Sequence, residues 1–220
     1  MSQVFLKVLN MSISASYVVL AVLLLRFMLK KAPKWIEVVL WGVVALRLVF
    51  PFSIESLLSL IPCSETVSPS IMVEQMPSID TGIPIINGVV NPIINQSFTP
   101  TPEVSANPLQ VIVPVVANVW AAGVVVLLIY VAVSYLRLER KMNTAILLRD
   151  NIFQSEMVDS PFVLGLFRPR VYLPFNLSES NMNHIIAHEY AHISRKDHFW
   201  KPVGFLVLSV HWFNPLMWLS

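Results

Sequence analysis

Long apolar runs alternate with polar segments along this chain. Val4 to Leu25 is mostly apolar, broken by Lys7, Asn10 and a few serines. As a helix it is long enough to cross the ~30 Å hydrocarbon core of a bilayer. It lacks a basic start and a clear small-residue cleavage site, so a transmembrane helix is expected there and not a signal peptide. A basic stretch, Arg26 to Lys34, follows, and Pro33 ends any continuing helix. The second apolar run extends from Trp35 to about Leu60, with Glu37 near one end and Arg47 inside. Charge is costly in lipid, so Arg47 is expected to face protein or snorkel to an interface, a structural role. Residues 62–108 change character: they are rich in Pro, Ser, Asn and Thr and hold no Lys or Arg. Prolines from Pro62 to Pro108 forbid a long helix, which predicts a mostly irregular loop. Its Ile-Pro-Ile-Ile and Val-Val-Asn-Pro-Ile-Ile patches are expected to extend or to graze a membrane surface. Leu109 to Leu136 is uncharged and is the clearest transmembrane helix, with Pro114 near its start. From Arg137 to Lys201 mixed charge and short apolar runs predict a small folded domain. Val203 to Leu219 is a fourth, shorter apolar run that carries His211, Asn214 and Pro215.

Composition agrees with a membrane protein. The chain is 55% hydrophobic and 13% charged, with a mean hydropathy of +0.67. Soluble domains carry about 25% charge. The single cysteine, Cys63, excludes an intrachain disulfide and reads as a packing residue. The placement of basic residues says more than the net charge of +2. Arg26, Lys30, Lys31 and Lys34 lie in the first loop, nine Lys or Arg lie between Arg137 and Lys201, and the loop between holds none. The positive-inside rule then makes the first and third loops cytoplasmic and the second extracellular. The expected layout is transmembrane helices 1 and 2 with their basic loop in residues 1–60 and a Pro-rich extracellular loop in 61–108. Transmembrane helix 3 occupies 109–136, a cytoplasmic domain 137–201 and transmembrane helix 4 202–220. With four spans, both termini are extracellular.

The candidate chemistry lies in the third loop, at His188-Glu189-Tyr190-Ala191-His192. A helix is predicted from about Glu179 to Ser194, with Ser178 as N-cap. Met182, Ile185 and Ile186 share its inward face. Residues four apart lie on one face of a helix, so His188 and His192 can hold one Zn²⁺. Glu189, one step round, can take a proton from a water at that metal, the arrangement of a zinc metalloprotease. His184, a turn earlier, reads as a surface or supporting residue. A catalytic zinc takes three protein ligands and a water. His198, six residues after His192, has the metzincin spacing, though Arg195 stands where that pattern needs glycine. The alternative is a Glu from a following helix, and no Glu follows His192 before Ser220. Upstream, Ser160 to Pro174 reads as a β-hairpin or two short strands. A strand beside the metal helix can bind an extended peptide through its main chain.

Three motifs carry a resemblance: Ser160-Pro161-Phe162-Val163-Leu164-Gly165-Leu166-Phe167-Arg168-Pro169-Arg170-Val171-Tyr172-Leu173-Pro174, then His188 to His198, then His211-Trp212-Phe213-Asn214-Pro215-Leu216. In this order they resemble the BlaR/MecR-type antirepressor membrane zinc metallopeptidases, in layout along the whole chain. The resemblance implies a membrane all-α fold of four transmembrane helices with a small α+β, gluzincin-like cytoplasmic zinc domain in the bacterial inner membrane. It implies zinc ligands His188 and His192, catalytic base Glu189, and a third ligand, a Glu, beyond Ser220. Asp197 is then expected to orient a ligand histidine or the loop, and His198 becomes the less favoured third ligand. It also implies a zinc endopeptidase of a signalling system that cleaves a cytoplasmic regulator, such as a transcriptional repressor, or itself. The extracellular penicillin-binding sensor domain of the best-known members is not in this sequence. Two alternatives are a truncated or degenerate non-catalytic receptor or adaptor, and a membrane protease of the HtpX or CAAX-processing type. Membrane lipid is an expected partner, nucleic acid is not, and a homo-oligomer is left open.

Overall fold

The structure is a computed structural model that describes residues 1–28, 34–49, 66–74, 76–98, 107–177 and 179–218. Expectations for Lys30, Lys31, Pro33, residues 50–60, Cys63 and the Ser178 cap lie outside those residues, as do the side chains of Glu37 and Glu179. The chain divides into two compact units, Met1–Val125 with Val207–Ser220, and Val126–Leu206.

The first unit is helical. It contains α1 (Ser2–Met28), α2 (Lys34–Val49), α3 (Pro84–Phe98) and the start of α4 (Leu109–Lys141). Among the described residues, α1 and α4 are long and apolar enough to cross a membrane. Ala15, Val19 and Val22 of α1 pack on Val44 and Leu48 of α2, with Met217 closing the cluster. Phe5 and Leu6 pack on Val113 and Ala117 of α4. The polar interruptions of α1 are where other segments attach. Asn10 receives the Val67 N–H and donates to the Val67 carbonyl, both at 2.9 Å. Asn214 donates to the hydroxyls of Ser12 at 2.9 Å and Ser16 at 2.7 Å. Asn107 caps α4 through the Leu109 N–H and donates to the carbonyls of Ile71 and Glu74.

Two expectations are corrected here. The Pro-rich loop is not mostly irregular, because its two apolar patches form the 15-residue helix α3. Pro84 occupies the first helical position, where the missing N–H has no partner to lose, and Pro92 is accommodated inside. Asn87 and Asn91, one turn apart, bond the main chain of Thr81 and Ile79 and so hold the preceding segment against the helix. The final apolar run is not one spanning helix. The helix α6 (Asp197–Val210) stops before His211, and a short 3-10 turn covers Pro215–Trp218. Pro215 disfavours helical backbone at Asn214, and the Asn214 carboxamide instead accepts the Leu216 N–H. The apolar part, Val203–Val210, rises only about 12 Å as a helix. Among the described residues two helices have spanning length, and the second apolar run continues past Val49 into residues that are not described.

The second unit is α+β. Strands β1 (Ile146–Arg149), β2 (Ile152–Gln154), β3 (Phe162–Leu164) and β4 (Arg170–Leu173) form a sheet in the order β1-β2-β4-β3. The β1–β2 and β3–β4 pairs are antiparallel, and β2–β4 is parallel. The hairpin expected over Ser160–Pro174 is β3–β4. Its turn needs Gly165, whose φ is +111° and where a Cβ would lie 2.4 Å from the Arg168 carbonyl oxygen. The β1–β2 hairpin was not foreseen. Its sequence signal is Asp150-Asn151 between two apolar runs, and Asp150 takes the positive φ of 47° that this tight turn requires. Strand β4 is buried on both faces. Val171 and Leu173 pack with Ile152 and with Ile186 of α5 (Glu179–Ser194). Tyr172 lies between the rings of Phe153 and Phe162, each 5.5 Å away.

Candidate metal centre

The α5 helix forms because Met182, Ile185, Ile186 and Ile193 fall on one side and pack on the sheet. That registration places the rest of the motif. Glu189 follows Ile185 and Ile186 by four and three residues and is buried on the sheet side. His188 and His192 turn toward the neighbouring, more exposed face. Their Nε2 atoms are 3.2 Å apart and their rings meet at 86°. Two nitrogens bound to one zinc at ~2.0–2.1 Å and a tetrahedral angle lie about 3.3–3.4 Å apart. The 3.2 Å separation is close to that spacing.

Asp197 fixes the second histidine. Its carboxylate lies 2.6 Å from His192 Nδ1. Arg195 also approaches that nitrogen, at 3.1 Å, and lies 3.5 Å from the carboxylate. A carboxylate can only accept, and its contact is the shorter, so Nδ1 carries the proton and donates to Asp197. This tautomer leaves the Nε2 lone pair directed at His188 Nε2. The bond to His192, together with the charge of Arg195, holds the Asp197 carboxyl below its ordinary pKa, against an opposing effect of desolvation. The local backbone explains the placement. Lys196 takes a positive φ of 59° between α5 and α6, so the sharp turn falls one residue after Arg195 and needs no glycine there. Asp197 then opens α6, where an acidic residue favours the helix N-terminus.

His198 does not join the pair. Adjacent residues on a helix point about 100° apart, so with Asp197 directed at His192, His198 is turned away, and its Nδ1 is buried without a partner. Among the described residues no three His, Cys, Asp or Glu side chains form a metal-holding group, which leaves His184 outside as well. Two residues escaped sequence reasoning. Tyr190, inside the motif, donates its hydroxyl to Asn151 Oδ1 at 2.5 Å. Asn151 in turn donates to the Pro169 carbonyl and receives the Val171 N–H through its own carbonyl. This chain of bonds ties the motif helix to the end of the sheet at both hairpin turns. The only signal for it is a polar-ring residue in a variable motif position, which spacing cannot pair with Asn151.

Comparison with known proteins gives consistent matches. A family model described as BlaR1 peptidase M56 matches residues 6–220. The regulatory protein BlaR1 of Bacillus licheniformis is 35% identical over 68 residues, 30% of this chain and 11% of that protein. The methicillin resistance mecR1 proteins of Staphylococcus aureus and Staphylococcus epidermidis are 27% identical over 73 residues, 31% of this chain and 12% of theirs. The matched stretch thus spans about one tenth of the length of these relatives.

Proposed function

The chain belongs to the M56 peptidase family and carries two helices long and apolar enough to cross a membrane, and from that premise we propose that it is a membrane-embedded zinc endopeptidase of a signalling system. His188 and His192 would hold the metal, Glu189 would serve as the base, and Asp197 would orient His192. The observation that carries this reading is the Nε2 pair at 3.2 Å with Asp197 on the far nitrogen of one ring. A ligand histidine that donates its other N–H to a carboxylate is the usual support of a metal site. Bound zinc lowers the pKa of a coordinated water from 15.7 to about 7. With zinc bound, Glu189 would accept that water's proton and pass it to the leaving amine. The third protein ligand is a residue outside those described. Strand β3, which packs beside α5, has no partner strand on its outer side among the described residues, and an extended peptide can add there as a strand. The Lys and Arg excess of residues 137–201 supports a cytoplasmic site. The substrate is then a peptide bond in a cytoplasmic regulator or in the protein itself.

A second reading, a non-catalytic receptor or adaptor, is favoured by one observation, the lack of a three-residue metal group among the described residues. Elemental analysis of the detergent-purified chain separates the two. The peptidase reading expects about one zinc per chain, lost in His188→Ala. Absence of stoichiometric zinc from the wild type would mean that residues 1–220 lack an essential ligand, which removes the peptidase reading for this stretch.

A further inference from the structure

The helix α3 carries no charged residue and has two unlike faces. Asn87 and Asn91 face the preceding segment and are bonded to it. On the other side Ile85, Val89 and Ile93, spaced by four, are 81%, 62% and 59% exposed. No residue of α3 is fully buried. This apolar stripe has a defined position. The segment before it, from Thr66 to Glu74, attaches through Val67 to Asn10 of α1 and through Ile71 and Glu74 to Asn107, the cap of α4. Val67 and Met72 pack with the first turns of both long apolar helices. The segment that leads into α3 is therefore held against the N-terminal thirds of both long apolar helices, at one end of each.

We propose that α3 is an in-plane helix at the boundary of headgroups and acyl chains, with Ile85, Val89 and Ile93 in lipid. A helix with an apolar stripe and a polar opposite face binds this zone in proportion to its buried apolar area. With no Lys or Arg in residues 62–108, the attachment is apolar and does not depend on anionic lipid. Pro84, Gly88 and Pro92, also spaced by four, border the stripe and keep its outer surface low enough to lie flat. A water-facing surface of this composition would be an aggregation hazard, and a second copy of the chain is the other occupant that the experiment must exclude.

The test uses the full chain with Cys63→Ser in phosphatidylcholine nanodiscs, with a nitroxide attached to a single cysteine at position 85, 89 or 93. A nitroxide at Ser78, an exposed residue of the segment held on the other side of α3, is the reference. The proposal expects collisions with oxygen, relative to a water-soluble nickel chelate, to be severalfold more frequent at the stripe than at position 78. Equal access of the nickel chelate at all four positions would overturn it. So would shielding from both reagents, and spin–spin broadening that disappears on dilution with unlabelled chain would assign the stripe to a second copy.

Discussion

The two units place their polar contacts differently. In the first unit they join segments far apart in the chain. Asn10, Asn107 and Asn214 each make two or more such hydrogen bonds, beside apolar clusters as large as those of the second unit. In the second unit the fixing contacts are apolar. Ile152, Val171, Leu173 and Ile186 form the core, and the polar groups gather at its edge in the metal motif. The proposed placement of the first unit in lipid and of the second unit's sheet in water accounts for the difference. Between apolar helices in lipid there is no hydrophobic driving force, so side-chain hydrogen bonds and close packing set the register. In water, burial of aliphatic surface drives assembly, and a polar site is carried on the resulting scaffold.

Four experiments can break or sharpen this contrast. Glu189→Gln should lower peptide cleavage by ~10²–10⁴-fold, the usual contribution of a general base, with zinc content unchanged. A loss of metal in that variant would place Glu189 among the ligands instead. Leu173→Ala should destabilise the second unit by about 2–5 kcal/mol. Hydrogen exchange should then rise in β2, β4 and α5, while α1 stays protected; a rise in both units would mean that they unfold as one. Asp197→Asn should weaken zinc retention by about 10–100-fold in competition with a chelating dye. An unchanged affinity would show that His192 is oriented without Asp197. Asn10→Ala should cost the least, on average about 0.6 kcal/mol and at most about 1.7. Its readout is faster exchange in Val67–Met72 alone, and an effect as large as that of Leu173→Ala would remove the distinction between the units.

Some of this organisation is written locally. The long apolar runs mark α1 and α4 because a span needs only composition and length. The bounds of α5 follow from the spacing of Met182, Ile185 and Ile186. The β3–β4 hairpin follows from apolar runs on either side of Gly165, a position whose positive φ other residues tolerate poorly. The i, i+4 spacing of His188 and His192 puts them on one face whatever surrounds the helix.

Other features depend on partners distant in sequence. Prolines argue against a helix at α3, but Asn87 and Asn91 gain bonds to Thr81 and Ile79 that hold this one, and composition does not show such bonds. The apolar run Val203–Leu219 looks continuous, and it breaks where Asn214 bonds Ser12, about two hundred residues away. Asp197 and His198 are neighbours of equal promise in the sequence. The left-handed turn at Lys196 directs Asp197 to His192 and turns His198 aside. The sequence by itself determined the two long apolar helices and the placing of His188 and His192 on one helix face, because these rest on hydropathy and helical periodicity. The tertiary structure decided which side chain meets His192 and where the final apolar run breaks, because those depend on hydrogen bonds made by the folded backbone and by distant segments.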